Sequence, residues 1–304
     1  MENKKLPDFL IVGTAKAGTT SIAKYLIQND QVFIPYRKEC TFFSGMEGNF
    51  KGPKDKWVNE AIIKNIEDYL DLFETAQSNK VTGEASPDYL YFYEKTILNI
   101  KKHYQERQQA FPKIIIILRN PIDRAFSHYM HFVRDFVETE SFAKALNLEK
   151  ERKEKNWQWP YQYKEVGLYF DQVKALLSNF DEVLVLFYDD LVKDAHNTMN
   201  LINDFIGLRP FNYDLNKKYN ESGKPQNEYL GKVLLKIKGT PFIKKVMPSY
   251  IYYKAKEKKD KLLLRNLKKM VILSEDKEYL KEYYKEDVGK LSVLLNKDLS
   301  HWLK

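Results

Sequence analysis

Nine residues near the start of the chain, Gly13-Thr14-Ala15-Lys16-Ala17-Gly18-Thr19-Thr20-Ser21, are of the types that hold an anion. They follow a short apolar run and open a segment with helical spacing. A helix start reached from a strand presents unpaired backbone N–H groups and the positive end of the helix dipole. Two glycines let the backbone approach a ligand closely. Lys16 adds a full charge, and Thr19, Thr20 and Ser21 add hydroxyl donors. The loop is not a Walker A motif, which ends in Gly-Lys-Ser/Thr; here Lys16 precedes Gly18 and Thr19 stands in the lysine's place. From these residues alone, a phosphate site and an ordinary glycine-containing β–α turn fit equally well.

Other residues bear on chemistry singly. Arg119 ends an apolar run that reads as a buried strand, and an arginine there calls for an anionic partner. A phosphate or Asp123 would serve. Ser127 by itself reads as a helix-surface serine. Glu84 stands at a strand end, where a carboxylate can also cap a turn. His128 and His131 are three apart on one helix without a third ligand, and the five histidines form no metal spacing. Cys40, the single cysteine, excludes an intramolecular disulfide and a multi-cysteine metal site, and reads as a small buried side chain.

Strands alternating with helices must position these groups. Residues 8–12 form a short buried strand and 19–28 a helix with Ile22, Tyr25 and Leu26 on one face. Residues 32–35 and 81–84 are further short strands. Residues 113–118, Lys-Ile-Ile-Ile-Ile-Leu, read as a strand covered on both sides, with Pro121 opening the next helix. A helix over 163–179, a strand over 182–188 and a helix over 197–206 complete the pattern. The expected fold is α/β, a central, mostly parallel sheet flanked by helices in three layers. With no repeat and no low-complexity linker, residues 1–304 read as one domain.

The chain has 304 residues, of which 43% are apolar and 14% aromatic, enough for a sizeable core. No apolar run reaches membrane-spanning length, and the first residues lack the pattern of a signal peptide. A reducing cytoplasm is the expected compartment. The net charge of +8 is not spread evenly. Residues 232–270 hold thirteen Lys/Arg against two acids, so this stretch alone exceeds the whole chain's surplus. The rest is near neutral. Lysine far outnumbers arginine in the segment and no base-reading module appears, so nucleic acid is not an expected partner. An acidic acceptor, an anionic membrane at its inner face, and solvated lysine-rich helices over 226–270 are its three readings.

Taken in order, the motifs resemble those of the PAPS-dependent sulfotransferases, specifically the heparan-sulfate and bacterial carbohydrate branch. Gly13 to Ile22 matches the family's phosphosulfate loop, strand-G-x-x-K-x-G-T-[ST]-x-L/I. Lys38-Glu39-Cys40-Thr41-Phe42-Phe43 matches a segment whose glutamate is the family's catalytic base. Gly83-Glu84-Ala85-Ser86-Pro87-Asp88-Tyr89 follows, then Ile116, Ile117, Leu118, Arg119, Asn120, Pro121, Arg124, Ser127 and Tyr129 at the spacing of the 3′-phosphate site. Gly167–Tyr169, Val185–Leu191, Phe205–Leu208, the late loop Asn220–Pro225 and Leu299–Trp302 complete the similarity. It departs from the branch at Thr41, where a histidine is common, at Ala85 in place of lysine, and at Lys224-Pro225, all of which bear on the acceptor.

The resemblance implies a P-loop-like fold and 3′-phosphoadenylyl sulfate (PAPS) as co-substrate, with adenosine 3′,5′-bisphosphate as product and no metal. It implies direct in-line transfer of the sulfuryl group to a hydroxyl of a carbohydrate or glycolipid. Glu39 would be the general base and Lys16 would stabilise the leaving phosphate. Lys16, Ala17, Gly18, Thr19, Thr20, Arg119, Ser127, Ser222, Gly223 and Lys224 would hold the nucleotide, and Lys38 and Glu84 would meet the acceptor. Lys38 read alone is equally a solvated lysine. Two other classes stay open: a P-loop-type kinase using ATP, and a non-catalytic protein binding polyanions or membrane surfaces through its basic segment.

Overall fold

A computed structural model describes residues 5–37, 39–216, 223–236, 262, 265–268 and 270–304. Lys38, Ser222 and most of the basic segment lie outside the described residues.

Five parallel strands form the central sheet in the order β2-β3-β1-β4-β5: β1 Phe9–Gly13, β2 Val32–Phe33, β3 Val81–Ala85, β4 Lys113–Leu118 and β5 Val183–Phe187. Alternation along the two central strands supplies two cores at once. Leu10, Val12, Ile114, Ile116 and Leu118 face one cluster, and Phe9, Ile11, Ile115 and Ile117 face the other. All five residues Ile114–Leu118 are fully buried, as a strand covered on both faces requires. Gly83 admits no side chain, because a Cβ there would enter the Phe9 ring.

The helices fall into two layers. The thinner one holds α1 Thr19–Leu26, α10 Tyr188–Lys193 and α11 Ala195–Ile206, packing Ile22, Leu26, Leu191, Met199 and Ile202. The thicker layer includes α4 Asp88–Tyr91, α5 Tyr93–Glu106, α6 Pro121–Arg134, α9 Phe170–Asn179 and α13 Ser274–Leu294. Shorter helices, α2 Asp55–Ala61, α3 Ile66–Asp71, α7 Phe142–Asn147 and α8 Glu149–Glu154, ride at its edge, and α12 spans Glu228–Lys236. A two-residue ladder, β6 Lys224–Pro225 with β7 Leu267–Lys268, is antiparallel and separate from the main sheet.

The expected helix over 163–179 is shorter than its pattern. A 3₁₀ turn at Glu165–Gly167 comes first, and α9 begins only at Phe170. Asp287 of α13 sets that start, its carboxylate accepting from the N–H groups of Tyr169 at 2.8 Å and Phe170 at 3.1 Å. A cap delivered from over a hundred residues away leaves no local signal. The strand expected at 32–35 is paired only at Val32 and Phe33.

After β1 the chain passes to one side of the sheet, and after β4 to the other. The crevice beyond the carboxyl ends of β1 and β4 is therefore the switch point, where open parallel sheets bind ligands.

Candidate active site

A cleft of about 1470 Å³ opens at this edge. Ligand pockets for one drug-sized molecule run to about 300–1,000 Å³, so this one has room for a nucleotide and a second reactant. The chain just beyond each of the five strands contributes to it: Lys16 after β1, Arg37 and Glu39 after β2, Asp88 after β3, Arg119 after β4 and Tyr188 after β5.

The β1–α1 loop is built to bring its backbone close. The sheet register shifts between Ile11 and Gly13 as the strand ends, and Thr14 N–H then bonds the Ile117 carbonyl at 2.7 Å. Lys16 and Gly18 both lie in the left-handed region, at φ 71° and 98°. At φ 98° Gly18 holds a conformation that favours glycine, and a Cβ there would also stand 2.8 Å from the Leu191 side-chain end. Gly18 caps α1, and Gly18, Thr19, Thr20 and Ser21 line the cleft together with Lys16. The helix start and its dipole thus open toward the space that the lysine borders. Ala17 is instead packed in the thinner core, its N–H bonded to Thr14 O, and does not line the cleft.

Arg119 joins this loop from β4. Its Nη1 donates to the Lys16 carbonyl at 2.9 Å, and its guanidinium lies 4.6 Å from the Tyr188 ring centroid. The stacking and the hydrogen bond fix the group at the cleft wall. In the second turn of α6, Ser127 also borders the cleft. Asn120 caps α6 by accepting from Ile122 N–H at 2.9 Å, and Pro121 occupies its first turn. Arg124 belongs to the interior: it is fully buried, donates to the Tyr163 carbonyl, and lies 3.3 Å from His128 Nδ1.

Glu39 is exposed on the cleft wall, in a turn where it and Thr41 take φ 60° and 57°. Cys40 behind it is fully buried, and enclosure beside Glu84 pushes its thiol far up, so it stays protonated and inert as a nucleophile. Aromatic and apolar side chains make the wall beyond: Phe50, Trp57, Phe126, Phe132 and Trp159. Trp57 is 65% exposed there.

Two groups of expected site residues lie away from the cleft wall. Glu84, expected to meet the acceptor, is 1% exposed and absent from the cleft wall. Its carboxylate accepts hydrogen bonds from Tyr69 at 2.5 Å, from Tyr89 at 2.9 and 3.0 Å, and from Ser86. Burial raises its pKa, and these donors oppose the rise. It is a buried polar hub that ties β3 to α3 and α4. Gly223 and Lys224, expected at the nucleotide, are not on the cleft wall either; Lys224 pairs with Lys268 in the small ladder, and Lys268 O would meet a Cβ on Gly223 at 2.9 Å. Leu267, Met270, Val271 and Ile272 border the cleft instead.

Sequence reasoning missed Arg37, Tyr188 and Asp88 as cleft residues. Tyr188 and Asp88 lie inside motif segments that were legible; what the sequence did not display is that both side chains turn to the cleft. Among the described residues, no group of three His, Cys, Asp or Glu is arranged to hold a metal ion.

Comparison with known proteins gives these likenesses an external measure. A profile of the family described as "Sulfotransferase domain" matches residues 6–245. The membrane-associated sulfotransferase kil1 of Dictyostelium discoideum is 31% identical over 127 residues, covering 42% of this chain and 23% of that protein. The bifunctional heparan sulfate N-deacetylase/N-sulfotransferase 2 of Bos taurus is 33% identical over 129 residues, covering 42% of this chain and 13% of that protein. The match thus spans under a quarter of the length of either relative. A crystal structure of a sulfotransferase from Alicyclobacillus acidocaldarius superposes with a TM-score of 0.76 at 29% identity, covering 99% of this chain and all of that one.

Proposed function

The chain belongs to the sulfotransferase family, and on that premise we propose that it transfers the sulfuryl group of PAPS to a hydroxyl of a carbohydrate or glycolipid, with Glu39 as general base. The observation that carries the reading is the convergence, in one cleft, of Lys16, the start of α1 and Arg119 with Glu39.

The residues fit the nucleotide's chemistry. PAPS supplies an activated sulfuryl group on a phosphate, with a second phosphate at the 3′ position. Lys16, Gly18, Thr19 and Thr20 offer cation, backbone and hydroxyl donors to the phosphate that becomes the leaving group. Preorganised donors at a site of developing charge are worth about 10²–10³ in rate apiece. Arg119 and Ser127, on the neighbouring strand end and helix, suit the 3′-phosphate. Glu39 is exposed on the cleft wall, and a carboxylate within hydrogen-bond reach of an acceptor there can take the hydroxyl proton during attack. Positioning and charge stabilisation carry such a transfer, as they do phosphoryl transfer.

The aromatic wall at Trp57 and Trp159 supports a carbohydrate acceptor, since flat rings pack against the C–H faces of sugars. The heparan sulfate relative points the same way.

Thermal-shift titration separates this reading from an ATP-dependent kinase. Adenosine 3′,5′-bisphosphate at a hundred times its Kd should stabilise the protein by about 2.7 kcal/mol while ATP leaves the midpoint in place. Stabilisation by ATP alone would favour the kinase. Polyanion binding that survives Lys16→Ala, with no nucleotide effect, would favour a non-catalytic protein.

A further inference from the structure

Two runs of the chain meet beside the cleft. β6 pairs with β7, and Gln226 N–H donates to the Asn266 carbonyl at 2.7 Å. Asn227 N–H donates to Asn266 Oδ1 at 3.0 Å, and Asn266 Nδ2 donates back to the Asn227 carbonyl at 2.9 Å. α12 leaves from this junction with Gly231 buried, where a Cβ would meet the Phe136 ring at 3.0 Å. Helical spacing puts Tyr229 and Val233 on the side away from Gly231, with Leu230 next to them. All three are exposed, Tyr229 at 80%. On the other run Met270, Val271 and Leu273 are exposed, Val271 at 81%, and Met270 and Val271 also border the cleft. Apolar side chains scattered singly over a surface need no explanation, but six flanking one junction do. Cations stand among them: Lys224, Lys232, Arg265 and Lys268 are all exposed. Glu228, paired with Lys232 at 3.7 Å, is the single acid among the described residues from 223 to 273. Between the two runs, residues 237–261 add eight lysines against Glu257 and Asp260.

We propose that this face docks the protein on an anionic phospholipid surface. Tyr229, Leu230, Val233, Val271 and Leu273 enter the boundary between headgroups and acyl chains, and the cations meet the lipid phosphates. The mixture of side chains decides the occupant. A polyanionic glycan would pair the cations but leave the apolar side chains in water. A second copy of this chain would cover the apolar side chains but set cation against cation. An anionic bilayer receives both. The consequence for catalysis rests on the sulfotransferase reading above: docking narrows the acceptor to a lipid-linked glycan. Met270 and Val271 are shared by the face and the cleft rim. A sugar head group can therefore enter the cleft while its lipid stays in the bilayer.

Flotation of the full chain with vesicles tests the docking. Vesicles of phosphatidylcholine alone are compared with vesicles containing about a third phosphatidylglycerol. The chain should float with the mixed vesicles and not with the neutral ones, and added salt should weaken the binding. Two variants separate the contributions: Tyr229→Ser with Val233→Ser, and Lys232→Gln with Arg265→Gln and Lys268→Gln. Each should weaken binding at least about tenfold, with an unchanged unfolding midpoint showing that it is folded. No binding to mixed vesicles, equal binding to neutral ones, or binding that either variant leaves unchanged overturns the proposal. Retention on heparin without vesicle binding would assign the face to a polyanion, and a dimer in light scattering that the serine variant dissociates, again without vesicle binding, to a second copy. Vesicle binding by a chain that consumes no PAPS would defeat the sulfotransferase reading and leave the docking in place. PAPS consumed without vesicle binding would do the reverse.

Discussion

Glu39 and Glu84 show how burial divides roles between side chains of one type. Glu39 follows β2 and faces the open cleft, while Glu84 lies within β3 and is enclosed by Tyr69, Ser86 and Tyr89. Glu84→Ala should therefore act on stability, costing about 1–3 kcal/mol for each hydroxyl left unpaired, as read by denaturant unfolding. A variant with native stability would show that the hub carries no weight. Burial also sets a pH dependence. Asp88 and Glu149 are each pushed up to about 7 by desolvation. A carboxyl whose folded pKa is raised contributes most below its ordinary value, and that contribution is lost as pH rises through the folded pKa. Stability should fall between about pH 4 and 7 by a few kcal/mol, and Asp88→Asn should flatten part of the slope. A stability that rises through that window would contradict the assigned burial.

Element by element, the sheet was readable because β-branched runs such as Ile114–Ile117 leave few alternatives, and the β1–α1 loop because glycine, lysine and hydroxyl spacing has a physical meaning. Less visible was whatever depended on distant partners. Asp287 capping α9, Asn120 Nδ2 reaching the Trp302 carbonyl at 3.0 Å, and Ser86 pinning the Glu39 loop join residues far apart in the chain. The enclosure of Glu84 was hidden for the same reason, since its hydroxyl partners come from α3, from α4 and from the turn before α4. The α1 start offers a test at this scale. Gly18→Ala would place a Cβ 2.8 Å from Leu191 at a φ of 98°. It should weaken adenosine 3′,5′-bisphosphate binding at least tenfold in calorimetric titration. Native affinity would mean the loop relaxes without cost and does not cradle the phosphate.

For the molecule as a whole, one domain-sized sheet gathers five strand ends into a cleft, and no described helix is long and apolar enough to cross a membrane. The basic surplus of residues 232–270 lies almost wholly outside the described residues. Its flank at Leu267 and Met270–Ile272 nevertheless reaches the cleft, on which the proposed acceptor enters. Neutralising Lys254, Lys256, Lys258 and Lys259 together should raise the acceptor KM and leave nucleotide affinity in place, measured by steady-state kinetics beside calorimetry. An unchanged KM would return the segment to solvated helices. The central claim is sulfuryl transfer itself. The chain should be incubated with sulfur-labelled PAPS and a panel of glycans, glycolipids and phenols, and each panel member assayed for label. The account predicts label on a hydroxylated glycan or glycolipid with the native chain, and none with Lys16→Ala or with Glu39→Gln, the latter still binding adenosine 3′,5′-bisphosphate. Label transferred at a near-native rate by Glu39→Gln, or PAPS neither bound nor consumed by the native chain, would contradict it.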